Sequence, residues 1–128
     1  MKDRFKFRVW LKDTNKMYNV HSLHIGTNKV IISSRHGNVS IYINKNTILM
    51  QSTGLKDKNG KLIYDGDIIV NEKFVKYITK WNDNIGQFYI SKINPSKYDN
   101  WKDWHLARHD LDYEVIGNVY ENPELPKE

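Results

Sequence analysis

The sequence contains no cysteine, and charges interrupt every apolar step of its first eight residues. Without cysteine the chain cannot form a disulfide, a thiolate metal site or a cysteine nucleophile. No apolar run approaches the roughly 20 residues that a membrane-spanning helix requires, and the first residues lack the apolar core of a signal peptide. We therefore expect a cytoplasmic protein that does not enter a membrane.

Recognisable catalytic motifs are also lacking. The sequence has no phosphate-binding glycine loop, no Gly-x-Ser-x-Gly elbow and no dinucleotide fingerprint. His105 and His109 lie four residues apart, but Leu106 stands where the metalloprotease pattern requires glutamate. Asp65 and Asp67 flank a glycine in a predicted turn, where local hydrogen bonding explains them better than acid–base chemistry. We predict no catalytic residue, no metal site and no cofactor.

Acidic residues are missing from a long internal stretch. None occurs between Thr14 and Lys56, and the two halves of the chain differ in charge as a result. Residues 1–62 hold 12 Lys and Arg against 3 Asp and Glu, whereas residues 63–128 hold 8 against 12. A basic half attracts polyanions or an acidic protein surface. Alternatively, the acidic half neutralises these charges in three dimensions.

What the sequence does contain is typical of one mainly β domain over residues 1–128. Hydrophobic residues make up 39% of the chain and charged residues 27%, which is ordinary for a globular protein. Short apolar or alternating segments rich in Val, Ile and aromatic residues are separated by turn signals such as Asn59-Gly60. This pattern is typical of a small barrel or sandwich. The predicted strands are 5–11, 17–20, 30–32, 39–43, 48–50, 62–64, 68–70, 74–81, 86–90 and 115–120.

One short helix is predicted over residues 99–108. Asp99 would cap it, and Trp101 and Trp104 would share one face at a spacing of three residues. The two tryptophans would either anchor the helix to the barrel or form a candidate interface hot spot.

A candidate basic face lies near the N-terminus. Alternate positions along the first predicted strand are cationic, so they would share one side of it, opposite Phe5, Phe7 and Val9. Such a face combined with aromatic rings suits nucleic acid, but a lysine-rich outer face also protects a strand from aggregation. The cationic residues are Lys2, Arg4, Lys6 and Arg8, with Arg35 and Lys45, beside the rings of Tyr18 and Tyr42, extending the surface.

Three blocks of sequence resemble the YopX family, small proteins of phages and prophages, mainly of Gram-positive bacteria. They are FRVW at 7–10 with KMY at 16–18, LMQSTGLKDKNGKLIYDGDII at 49–69, and EVIGNVYENPEL at 114–125. The resemblance implies a β-rich fold with a small SH3-like barrel, additional strands and a location in the host bacterial cytoplasm. It implies no activity. Residues 22–48 and 92–111 lie outside the blocks and are expected to be variable inserts.

Three functions follow as expectations. The leading one is a non-enzymatic accessory protein of a phage or prophage that contacts a host or phage protein. The first alternative is a nucleic-acid-binding barrel that uses the basic N-terminal half. The second is a self-assembling structural protein that forms a homo-oligomer.

Overall fold

The protein is described here by a computed structural model that covers residues 2–99, 103–105 and 112–127. Strands dominate these residues, and helix is limited to two short 3₁₀ segments, Lys2–Phe5 near the N-terminus and Leu125–Lys127 near the C-terminus. The strands are β1 (Phe7–Leu11), β2 (Lys16–His24), β3 (Lys29–Ser34), β4 (Gly37–Tyr42), β5 (Thr47–Lys56), β6 (Leu62–Tyr64), β7 (Asp67–Val70), β8 (Lys76–Asn82), β9 (Gln87–Lys92), β10 (Asp103–His105) and β11 (Glu114–Asn118).

The strands form two antiparallel sheets. The first sheet has the order β4-β3-β2-β1-β5-β6, and the second has the order β10-β9-β8-β7-β11. The predicted mainly β class is therefore confirmed. The SH3-like barrel is not confirmed, because the pairing within the described ranges closes neither sheet on itself.

The turns between strands follow the sequence signals. β3 and β4 pair from Ser34 opposite Gly37, with Arg35 and His36 between them, and Gly37 has a φ of +114° that favours glycine. Gly60, at the tip of the loop between β5 and β6, has a φ of +84°. Both turns lie where the sequence predicts them.

Two apolar cores stabilise the sheets. The first core centres on Val9, Val30 and Ile32, and it lies on one face of the first sheet. The second core brings Ile63 of β6 against Ile69 and other apolar residues of the second sheet. The other buried members of the second core are Tyr77, Ile90 and Tyr113. Burial of these side chains supplies the main force that holds the sheets together.

A tight reversal joins the sheets between Tyr64, the last residue of β6, and Asp67, the first of β7. Gly66 has a φ of +86°, its N–H donates to the Thr79 carbonyl at 2.9 Å, and its carbonyl accepts from the N–H of Val119 at 3.0 Å. Through Gly66, this Asp-Gly-Asp segment bonds β8 in the middle of the second sheet and the residue that follows β11 at its edge.

The predicted helix is wrong over residues 103–105. These residues form β10, in which Trp104 pairs with Ile90 of β9. Pairing with β9 supplies backbone hydrogen-bond partners on one side, and this tertiary interaction overrides the helical spacing of the tryptophans. Trp101 and the remainder of the predicted helix beyond residue 105 lie outside the described residues.

The first strand also begins later than predicted. Phe5 belongs to the N-terminal 3₁₀ helix and is 58% exposed, so it does not share a buried face with Val9. In the described ranges, no helix is both long and apolar enough to span a bilayer.

Candidate functional site

Arg8 is a buried ion-pair residue and not part of a basic surface. Its Nη2 donates to Oδ1 of Asp67 at 2.7 Å and to the Asp65 carbonyl at 3.2 Å. Its guanidinium carbon lies 4.7 Å from the centroid of the Tyr64 ring. Only 10% of the Arg8 side chain and 1% of the Asp67 side chain are exposed. Arg8 therefore links β1 of the first sheet to β7 of the second.

Burial shifts the pKa values of Asp65 and Asp67, the two aspartates of the reversal. Burial is the main cause that raises the pKa of Asp67, and Arg8 and the N–H of Tyr64, 2.8 Å from Oδ2, oppose it. Burial likewise raises the pKa of Asp65, against the opposing effect of Arg8. Asp67 thus accepts hydrogen bonds from both Arg8 of β1 and the backbone of Tyr64 across the reversal.

The expected basic strand face is therefore wrong as a geometric unit. Lys2 and Arg4 belong to the 3₁₀ helix, so they do not alternate along a strand with Lys6 and Arg8. Lys6 forms an ion pair with Asp3 at 3.5 Å and is exposed. The predicted alternation does not extend to Lys2 and Arg4, because the chain forms a 3₁₀ helix before β1 begins at Phe7.

The other two predicted cations lie in the loops on either side of β4. Arg35 in the β3–β4 turn and Lys45 after β4 are exposed. Tyr42 is 62% exposed, and the Lys29 ammonium lies 4.8 Å from its ring centroid. Tyr18, in contrast, packs against the first core. The structure thus separates Arg35, Lys45 and Tyr42 from the N-terminal cations.

The loop between β5 and β6 is also structural. Asp57 is 6% exposed; its Oδ1 accepts from the N–H groups of Asn59 and Lys61, and its Oδ2 accepts from that of Val115, each at 2.9 Å. Burial acts to raise the pKa of Asp57, but these three backbone hydrogen bonds outweigh it and lower the pKa. Asp57 thereby attaches this loop to β11.

An open groove lies between the two sheets, with a volume of about 440 Å³. We call it the inter-sheet groove. The N-terminal 3₁₀ helix and β5 form one wall, and the β8–β9 hairpin forms the other. Its lining residues are Arg4, Phe5, Gln51, Thr53 and Leu55 on the first wall and Trp81, Gly86, Gln87 and Phe88 on the second.

Aromatic rings stand at this groove in fixed orientations. Trp81 is 44% exposed, and its ring packs edge-on against Phe88 with centroids 4.9 Å apart. The Trp81 indole N–H donates to Oδ1 of Asp83 at 2.7 Å, which holds the ring orientation. On the facing wall, the Arg4 guanidinium carbon lies 5.0 Å from the centroid of the exposed Phe5 ring.

The first wall depends on a close approach at Gly54. A Cβ atom at Gly54 would lie 3.2 Å from the Cβ of Arg4, and the φ of Gly54 is +81°. Glycine therefore lets the 3₁₀ helix rest on β5, and Gln51 Nε2 donates to the Arg4 carbonyl at 3.0 Å to hold it there. In the described part of the chain, Arg4 has no carboxylate partner.

Sequence reasoning did not identify this groove. Trp81 precedes a polar turn, which is a signal for an exposed ring at the end of a hairpin, but nothing in the sequence brings it near Phe5.

Of the predicted tryptophan pair, Trp104 lies in β10 and Trp101 lies outside the described residues. His105 also lies in β10, while His109 is outside the described residues, so the helical spacing of the two histidines does not apply at His105. No group of three or more potential metal ligands occurs within the described ranges.

Comparisons with known proteins identify relatives along almost the whole chain. A family model described as YopX protein matches residues 6–127. The structure is similar to the crystal structure of protein EF1440 from Enterococcus faecalis, with a TM-score of 0.60 and 28% sequence identity. That similarity covers 94% of this chain and 96% of the other. The comparison with curated proteins found no match.

Proposed function

We propose that this chain, which belongs to the YopX family, is a non-enzymatic accessory protein encoded by a phage or prophage. Its role is to bind a host or phage protein. The observation that carries the proposal is the inter-sheet groove. There, Phe5 and Trp81 expose aromatic surface beside a cation without a carboxylate partner in the described part of the chain.

The composition of the groove supports a protein partner. Tryptophan and arginine are the residues that most often dominate the energetics of protein interfaces. A partner's apolar side chain that covers an exposed aromatic ring removes its surface from water. This burial contributes roughly 25 cal/mol of binding free energy for each Å² covered. Because Trp81 is held by Asp83 and Phe88, little conformational entropy is lost when a partner covers it. The groove can therefore accept an apolar side chain together with an acidic group facing Arg4.

The proposal is tested by affinity capture with the whole chain from phage-infected bacterial cells. We expect the wild type to retain a stoichiometric partner, and the double variant Phe5→Ala with Trp81→Ala to lose it. Phe74→Ala is the matched control, since Phe74 is 85% exposed but does not line the groove. Repeated recovery of the chain alone, or full retention by the groove variant, would reject the proposal.

Nucleic-acid binding is a second candidate function, favoured by one observation. No acidic residue occurs between Thr14 and Lys56, and this stretch includes the exposed Tyr42 beside Lys29. Binding to phosphates predicts retention on heparin that falls steeply with salt, and a loss of retention when Arg35 and Lys45 are replaced by Glu. Salt-independent retention, or none, would exclude this candidate.

A further inference from the structure

β4 is an edge strand with one open side. It is the end strand of the first sheet and pairs with β3 over its full length, from Ser34 opposite Gly37 to Lys29 opposite Tyr42, without a register shift. Among the described strands, none pairs with its other side. A strand in this position presents a row of unpaired N–H and C=O groups.

The outward-facing groups can be assigned. The N–H of Ile43 donates to the Asn28 carbonyl at 2.8 Å, just beyond the pair of Lys29 and Tyr42. In an antiparallel pair the bonding direction alternates from residue to residue. The backbone groups of Tyr42, Ser40 and Asn38 therefore point away from β3.

β4 lacks the features that normally protect an edge. Its six residues contain no charge and no proline, and its Val39 and Tyr42 side chains are 45% and 62% exposed. Lysine, proline, bulges and short length are the usual means of blocking an edge. β6 and β10 are only three residues long. β11 carries a register shift between Val115 and Gly117, and Asp57 occupies the N–H of Val115.

Cations stand at both ends of this edge. Arg35 lies in the turn before β4, while Lys29 faces Tyr42 and Lys45 follows β4 at the other end. No carboxylate pairs with any of these three within the described residues. A second copy of the chain, paired antiparallel through the same edge, would bring these cations together and be repelled. An acidic extended segment would be attracted.

We propose that β4 is a docking edge for an extended segment of a partner protein that carries acidic residues on both sides of a neutral β-forming core. Outward-facing backbone groups of Asn38, Ser40 and Tyr42 bond the added strand, and Arg35 and Lys45 pair with its acidic ends. Six extended residues span about 20 Å, which sets the separation of the two acidic ends. This inference rests on the proposed protein-binding function but uses a site separate from the inter-sheet groove.

The probe is a synthetic, fluorescently labelled peptide of about ten residues, with Glu and Asp at both ends and alternating Thr and Val between them. A peptide with Lys in place of the acidic residues is its matched control. Binding is measured by fluorescence anisotropy, and hydrogen exchange locates the protected amides. We expect the acidic peptide to bind, to protect the amides of Ser40 and Tyr42, and to bind at least about tenfold more tightly than the lysine peptide.

Variants of the whole chain test the geometry. Ser40→Pro removes an outward N–H without removing a bond to β3, whereas Ser40→Ala keeps that N–H. We expect Ser40→Pro to weaken peptide binding by about tenfold or more and Ser40→Ala to preserve it. Arg35→Glu with Lys45→Glu, both at exposed sites, should also abolish the preference for the acidic peptide. This double variant keeps the test decisive if the proline variant does not fold.

Other outcomes reject the inference in distinguishable ways. Equal binding of both peptides, or none, would overturn the docking edge. Loss of peptide binding in the Trp81→Ala variant with no effect of Ser40→Pro would assign the peptide to the groove, leaving the proposed function intact. A doubled mass in solution that Ser40→Pro abolishes would assign the edge to a second copy. Tight binding of a single-stranded oligonucleotide that Arg35→Glu with Lys45→Glu removes, with no peptide binding, would assign the surface to nucleic acid.

Discussion

Arg8 of the first sheet and Asp67 of the second are joined by a hydrogen-bonded ion pair of 2.7 Å, almost fully removed from water. The pair lies where the chain passes from β6 to β7, so it stabilises the relative position of the two sheets. A charged group left alone in such a place is far more costly than an exposed one.

Removal of one partner from this pair should therefore destabilise the protein strongly. We expect Arg8→Ala to lower the free energy of unfolding by about 3–5 kcal/mol, because Asp67 would be left buried and unpaired. Lys6→Ala, at a side chain that is 58% exposed, should change it by less than about 0.5 kcal/mol. Urea unfolding measures both values. Replacement of the pair by Arg8→Met with Asp67→Leu should recover only part of the loss, because the Tyr64 N–H still loses its acceptor. Equal effects at Arg8 and Lys6 would contradict the assigned role.

Two tryptophans should differ sharply in their effect on stability. Trp10 is 8% exposed and stacks on Tyr120 with ring centroids 5.9 Å apart. Trp10→Ala should cost about 3–5 kcal/mol of unfolding free energy. Trp81 is half exposed at the groove, so Trp81→Ala should lower the free energy of unfolding by only about 0.5–1.5 kcal/mol, through loss of its contact with Phe88. Urea unfolding of the two variants makes the comparison, and a large loss at Trp81 would mean that its ring serves the fold more than binding.

Asp57 should make stability depend on acid pH. Backbone hydrogen bonds lower its folded pKa below the usual value of 3.8. Its contribution is thus present above that value and is lost as pH falls through the folded pKa. Asp57→Asn should lower stability at neutral pH by about 1–3 kcal/mol, because the amide nitrogen cannot accept from the N–H of Val115. Urea unfolding at a series of pH values should show a smaller fall in the free energy of unfolding at acid pH for this variant than for the wild type. An equal fall in both proteins would contradict the assignment.

Tyr113 should make stability depend on alkaline pH. Burial is the main cause that raises its pKa to about 12, and Tyr77 and Asp112 add to the effect. Because the neutral form is favoured in the folded state, the contribution is complete below the usual value of 10.0 and is lost as pH rises through about 12. Tyr113→Phe should reduce this alkaline loss in urea unfolding, whereas Tyr98→Phe, at a side chain that is 78% exposed, should not. Equal slopes for the wild type and the Tyr113→Phe variant would contradict it.

Gly117 should not tolerate a side chain. A Cβ atom there would clash with Oδ1 of Asn122, which accepts a hydrogen bond from the Asn118 N–H. Gly117→Ala should therefore cost about 1–3 kcal/mol of unfolding free energy through forced displacement. In combination with Asn122→Ala the two costs should be less than additive, since the clash is then removed. Strict additivity in urea unfolding would show that the steric contact is unimportant.

Local signals predicted the positions of most strands along the chain. The hairpin of β3 and β4 and the loop around Gly60 follow from turn residues that favour positive φ, and the apolar runs of β5 to β9 follow from side-chain type. These features depend on neighbours in sequence, so a pattern of a few residues is sufficient to predict them. The family resemblance is confirmed across residues 6–127.

Tertiary structure decided the rest. Alternation placed Arg8 on an outer face, but Asp67, distant in sequence, lies opposite it and makes its burial favourable. The spacing of Trp101 and Trp104 favoured a helix, but the edge of β9 supplied backbone partners that turned residues 103–105 into a strand. The groove joins Phe5 to Trp81 only because two sheets meet there. Composition and local pattern determined a β-rich, charge-polarised chain, whereas the contacts between distant segments determined which charges are buried and which rings and edges meet solvent.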